Sequence, residues 1–178
     1  MPRNTTLYLD IDDTIFAQVL PGSAFDLRPC VITQLIILGR LFDCCWLTSW
    51  PHSPGATPET EMCVQTLMRA LYGHRVNDTF RYADWDHDHP DGKAGFVLRP
   101  DQPANWFWLE DLLSKGERDA LAAAGNLERY IAVEPRGPWG FLDAVNVLFR
   151  RIGINADELR NVAARPEWFD RAFINDLV

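Results

Sequence analysis

The sequence predicts an α/β fold, a three-layer sandwich with a mostly parallel central sheet, on three observations. Short apolar, β-prone runs recur at Leu7-Tyr8-Leu9, Phe42–Leu47, Trp106–Leu109 and Tyr130–Val133. Stretches with helical apolar spacing separate them, and parallel strands need crossovers of that kind. Three of the runs stop directly at polar or acidic residues, Asp10, Thr48 and Glu110-Asp111, and α/β sheets gather function at their carboxyl ends.

Leu7–Leu9 reads as a buried strand that opens into the acidic cluster Asp10-Ile11-Asp12-Asp13-Thr14. A loop of mixed character with Pro21, Gly22 and Pro29 is expected next. Val31, Leu35 and Leu38 fall at helical spacing beside Ile32 and Ile36, with Gly39 as the expected stop. Phe42–Leu47 is the second core strand, running into Thr48 and Ser49. Pro51, Pro54, Gly55 and Pro58 mark a loop, and Thr57-Pro58-Glu59 opens a helix with Met62, Leu67, Met68 and Leu71 on its apolar side. A further strand is expected around Phe80-Arg81-Tyr82. The segment Asp84–Gly92 is too polar and turn-rich for a core, and Lys93 stands at its end. Trp106–Leu109 is a third core strand, followed by a helix from Glu117 to Ala124 and a strand at Tyr130–Val133. The turn Glu134–Gly140 then leads into a helix from Phe141 to about Ile152. Residues 1–178 are expected to form a single domain, with Asn155–Val178 a helical appendage.

Apolar residues make up 47% of the chain, charged residues 24% and aromatic residues 12%, a balance that excludes disorder and collagen-like sequence. No apolar run approaches the ~20 residues of a membrane span. The start, Met1 to Thr6, lacks the apolar segment of a secretory signal, so a cytoplasmic location without a membrane partner is expected. Cys30, Cys44, Cys45 and Cys63 show neither C-x-x-C spacing nor a disulfide framework, and buried thiols are expected. A formal charge of -8 disfavours a broad nucleic-acid surface but suits carboxylates gathered around a cation.

Asp10 and Asp12, one residue apart at a strand terminus, suit nucleophilic attack on phosphorus by one carboxylate and acid/base work by its neighbour. A phosphoryl group also needs cationic charge. Lys93 offers one part, and a divalent ion held by Asp10 with Glu110 and Asp111 offers the rest, since Mg²⁺ favours a few carboxylates plus phosphate oxygens.

In their order these segments resemble the four motifs of the haloacid dehalogenase (HAD) superfamily of phosphohydrolases. Leu7 to Thr14 is similar to the first motif, an apolar strand followed by D-x-D-x-T. The resemblance implies a nucleophile at Asp10, an acid/base and main-chain metal contact at Asp12, and a loop-holding role for Thr14. Trp46-Leu47-Thr48 resembles the second motif, which implies a hydrogen bond from Thr48 to the transferring phosphoryl group. Lys93 fits the third motif; Lys115, the other lysine, follows the acidic pair and is out of order. Trp106 to Asp111 resembles the fourth, implying Asp111 as the more direct Mg²⁺ ligand and Glu110 as a direct or water-mediated one.

The span from Ser49 to Lys93 must already supply a helix and a strand, so the resemblance is to capless or minimally capped members with a Rossmann-like sheet. It implies an Mg²⁺-dependent phosphatase working through an aspartyl phosphate, on a phosphorylated substrate such as a nucleotide or nucleic-acid end. The alternative from another class is a non-catalytic binding or scaffold protein of the same fold.

Each residue also has a plainer role. Thr48 can bond its own backbone, Lys93 can be a surface lysine, and Glu110-Asp111 can cap the next helix. His87 and His89 among Asp84, Asp86, Asp88 and Asp91 are assigned to a solvated loop. His52, Trp50, Trp139 and Arg136 are assigned to packing or surface.

Overall fold

The computed structural model describes residues 5–18, 25–50, 58–73 and 80–154. In chain order these form β1 (Thr6–Leu9), β2 (Phe16–Gln18), β3 (Phe25–Leu27), α1 (Val31–Leu41), β4 (Asp43–Trp46), α2 (Pro58–Gly73) and β5 (Phe80–Tyr82). They continue with α3 (Gly92–Val97), β6 (Trp106–Glu110), α4 (Lys115–Ala123), β7 (Tyr130–Ala132) and α5 (Gly140–Ile152). The main sheet has the order β5-β4-β1-β6-β7, and all four pairings are parallel.

Period-two alternation divides the core between the faces of this sheet. Leu7, Leu9, Cys44, Trp46, Leu109 and Ile131 join one apolar cluster with Leu35 and Leu38 of α1, Leu67 of α2 and Val145 and Leu148 of α5. Tyr8, Cys45, Trp106 and Trp108 join another with Ala94 and Val97 of α3 and Leu121 of α4. A strand buried on both faces reads as a continuous apolar run, which is why β1, β4 and β6 stood out.

Three expectations need correction. Gly39 does not stop α1; it is buried inside a helix that ends only where Phe42 turns extended to enter β4. Glycine's propensity cost of about 1 kcal/mol is outweighed there by the packing of the helix's buried face. The region between Ile15 and Arg28 holds more than a loop, because β2 and β3 pair antiparallel, Phe16 opposite Leu27. Strands of three residues are too short for alternation to register in sequence. Cys30, finally, is exposed, at a left-handed φ of 60° in the turn that enters α1, whereas Cys44, Cys45 and Cys63 are buried. Among the described residues no helix is long and apolar enough to cross a membrane. His52 and the tail Asn155–Val178 lie outside the described residues.

Candidate active site

Parallel pairing brings the carboxyl ends of β1, β4 and β6 to one edge, because Leu9 is in register with both Trp46 and Leu109. The ladder continues past the strands: the Asp10 amide donates to the Leu109 carbonyl at 3.1 Å, and the Leu47 amide to that of Leu9 at 2.8 Å. Asp10, Thr48, Glu110 and Asp111, far apart in sequence, therefore leave the sheet on the same side.

Lys93 reaches this edge from α3. Its ammonium donates to Asp10 Oδ1 at 2.7 Å and to Glu110 Oε2 at 2.6 Å. Asp10 and Glu110 are almost fully buried, 2% and 5% exposed. An ammonium has three N–H donors, so one remains for an incoming anion. Donor oxygens of Asp10, Glu110 and Asp111 lie within 4.8 Å of one another, a grouping able to hold a metal ion. The Asp12 carboxylate is not in that group; the metal contact implied for Asp12 is through its main chain.

Two carboxylates share one lysine, and burial opposes the charge that the lysine favours. Burial pushes the Asp10 carboxyl up, against the opposing pull of Lys93. It pushes Glu110 further, with the Asp10 charge adding to it and Lys93 again opposing. Burial works against the charge on Lys93, yet Asp10 and Glu110 together hold its pKa above the ordinary lysine value. Asp12 is raised to about 6, first by burial and then by the charges of Asp10, Asp13 and Asp111.

The position of Lys93 depends on Glu117, which the sequence reading passed over. One oxygen of this buried carboxylate accepts from the Lys93 amide at 3.0 Å, and the other from the Ser114 amide at 2.8 Å. Ser114 Oγ in turn accepts from the Glu117 amide at 3.2 Å, closing a capping box that starts α4. Ser-x-x-Glu was legible in the sequence as a helix start. Glu110 and Asp111 consequently do not cap α4. Gly92 beside this carboxylate holds a left-handed φ of 53°, which favours glycine, and an added Cβ would also press on Glu117 Oε1 at 2.7 Å.

Thr48 is buried, and its hydroxyl oxygen accepts from the Trp50 amide at 3.1 Å, leaving its own O–H to donate. Its carbonyl accepts from the Trp85 indole at 3.2 Å, and the Trp85 ring stacks on His87. The histidine-rich loop closes locally: the Asp88 amide donates to Asp86 and the Asp91 amide to His89 Nδ1. Trp50 is buried against Phe16, whereas Trp139 is about half exposed. Arg136 is exposed on its turn, its amide bonded to Glu134.

The loop-holding role implied for Thr14 is not carried by a hydrogen bond of its hydroxyl, which is buried without a partner among the described residues. The turn is closed instead by the Ile15 and Phe16 amides on the Ile11 carbonyl, at 2.9 and 3.2 Å, and by Arg28, a residue without any local sequence signal.

Fold and site together define a class: a parallel α/β protein with a buried carboxylate–lysine cluster at the carboxyl edge of its sheet. Comparisons with family models, curated proteins and solved structures found no significant match.

Proposed function

We propose that the protein is an HAD-type phosphomonoesterase, a three-layer α/β sandwich that hydrolyses its substrate through an aspartyl phosphate on Asp10. The observation that carries this reading is the ammonium of Lys93 on both of the buried carboxylates Asp10 and Glu110, with Asp111 beside them. A lysine between carboxylates at a sheet edge is more than a solvated ion pair requires, and all four motif segments meet there.

The three grouped carboxylates fit Mg²⁺, which takes hard oxygen ligands; Asp10, Glu110 and Asp111 would hold it. When bound, the ion supplies positive charge opposite the phosphoryl oxygens. Asp10 attacks phosphorus in line, forming an Asp10 O–P bond as the bond to the leaving oxygen breaks. Asp12 gives that oxygen its proton, and a carboxyl raised to about 6 is suited both to donate and to recover it. Asp12 then takes a proton from the water that attacks the acyl phosphate, releasing inorganic phosphate and restoring Asp10. The remaining N–H of Lys93 and the Thr48 hydroxyl stabilise the equatorial oxygens.

The short span available for a cap favours a large phosphorylated substrate in the cytoplasm, such as a nucleotide or nucleic-acid end. The charge of -8 favours contact with the terminal phosphate over a long backbone. With Mg²⁺ and a generic aryl phosphate, Asp10→Asn is expected to abolish turnover and EDTA to suppress it reversibly. Full activity of Asp10→Asn would rule out the mechanism. Inertness of the unaltered protein toward aryl phosphate, nucleotides and phosphorylated oligonucleotides would instead favour a non-catalytic binding role.

A further inference from the structure

Arg28 follows β3 and is almost completely buried, yet among the described residues no carboxylate is a hydrogen-bond acceptor of its side chain. One terminal nitrogen donates to the Asp13 carbonyl at 2.6 Å and the Pro135 carbonyl at 3.0 Å; the other donates to the Gly137 carbonyl. Its own amide donates to the Ile15 carbonyl at 3.1 Å, so backbone and side chain grip the same turn. A buried guanidinium is costly unless well satisfied; here its two terminal nitrogens donate to main-chain oxygens, while Nε has no partner among the described residues.

Those oxygens belong to two segments flanking the candidate site. Asp13 adjoins Asp12 in the turn after β1 and holds a left-handed φ of 48°. Pro135 and Gly137 lie in the turn between β7 and α5. That turn contains two prolines, which lack N–H groups, and it is compact: the Gly140 amide donates to the Gly137 carbonyl at 3.3 Å. Asp10 is fixed by the sheet, but Asp12 lies beyond it, on a turn that makes no ladder bonds with β4 or β6.

We propose that Arg28 is a positioning residue for the proposed phosphatase reaction, clamping the Asp12-Asp13 turn to the Pro135–Gly137 turn so that the Asp12 carboxyl is held over Asp10. The planar guanidinium fork serves three carbonyls in fixed directions, which a lysine's single nitrogen does not reproduce. The inference rests on the phosphatase reading for its catalytic consequence, but the clamp itself can be tested without turnover.

The test compares the full chain with Arg28→Lys and Asp12→Asn, singly and combined. Arg28→Lys is expected to melt cooperatively and to lower kcat on aryl phosphate on the order of 10²-fold, with KM within about twofold. In the Asp12→Asn background it should cost nothing further, because the carboxyl it positions is gone. Amide exchange should quicken together at residues 11–15 and 136–140 while residues 106–110 keep their protection. Arg28→Ala with added guanidinium gives a second route, with recovery by guanidinium and none by ammonium. Unchanged kcat in Arg28→Lys, a full additional loss in the Asp12→Asn background, or faster exchange across the whole sheet would overturn the proposal. Absence of turnover in the unaltered protein would overturn the phosphatase reading, leaving the exchange pattern to decide the clamp.

Discussion

Lys93 neutralises a pair of buried carboxylates that have no other counter-charge within bonding distance among the described residues. Lys93→Met is expected to cost about 3–5 kcal/mol at pH 8 without divalent ions, measured by urea unfolding. The sign of its pH dependence follows from the raised values of Asp10 and Glu110. Between the unfolded and the folded values these groups hold protons in the folded protein that the unfolded chain has released, so their stabilising contribution is complete below the ordinary carboxylate range. It is lost as pH rises through the folded values. Loss of Lys93 raises them further, so the variant's deficit should shrink as pH falls toward about 4. A deficit that grows on acidification would contradict the buried pairing. The thiols differ by the same logic of burial. Cys45 is pushed up to about 11 by burial and carries little thiolate at pH 8, while Cys30 is open to solvent. A thiol reagent should label Cys30 rapidly in the folded protein, and Cys30→Ser should remove that phase while Cys44 and Cys45 react only on unfolding.

The elements around the site are held by their ends. Glu117 ties the start of α3 to the start of α4, so the helix that carries Lys93 is fixed by a carboxylate 24 positions away. At the start of α5, Gly140 sits against the backbone it follows: an added Cβ would meet the Glu134 carbonyl oxygen at 2.1 Å. A main-chain atom cannot rotate aside as a side chain can. Gly140→Ala is therefore expected to destabilise by about 1–3 kcal/mol, read as a lower melting temperature. The Pro135–Gly137 carbonyls that receive Arg28 should loosen with it. A neutral Gly140→Ala would mean that the turn after β7 is more open than this packing.

For the whole molecule, the sheet order matters most, because it places β1 between β4 and β6 and gathers like charges at one edge. Asp10, Glu110 and Asp111 repel one another there, and a bound cation should relieve that repulsion and stabilise the fold. The gain should be ~2.7 kcal/mol when free ion reaches about 100 times its dissociation constant. Melting temperature is expected to rise with Mg²⁺, the increment shrinking sharply in Asp111→Asn and hardly at all in His87→Ala. Equal losses in both, or a loss only in His87→Ala, would assign the ion to the histidine-rich loop and not to the acidic group.

The strands were legible in sequence because β1, β4 and β6 are buried on both faces and so form unbroken apolar runs. Their polar termini marked Asp10, Thr48, Glu110 and Asp111 for the same reason: an abrupt change of polarity at a strand end is a local signal. The start of α2 at Pro58 was legible too, since proline suits a first helical turn. Ser114-x-x-Glu117 was equally local and was missed, although its effect on Lys93 depends on packing between two helices. Only the tertiary structure decided that Gly39 stays within α1, that Phe16–Gln18 and Phe25–Leu27 pair, and that Cys30 faces solvent. Arg28 is the clearest case, an ordinary arginine in sequence whose acceptors lie 15, 107 and 109 residues away. Periodicity and residue chemistry report what neighbours along the chain impose, whereas a guanidinium among three carbonyls exists only once the sheet has brought distant turns to the same edge.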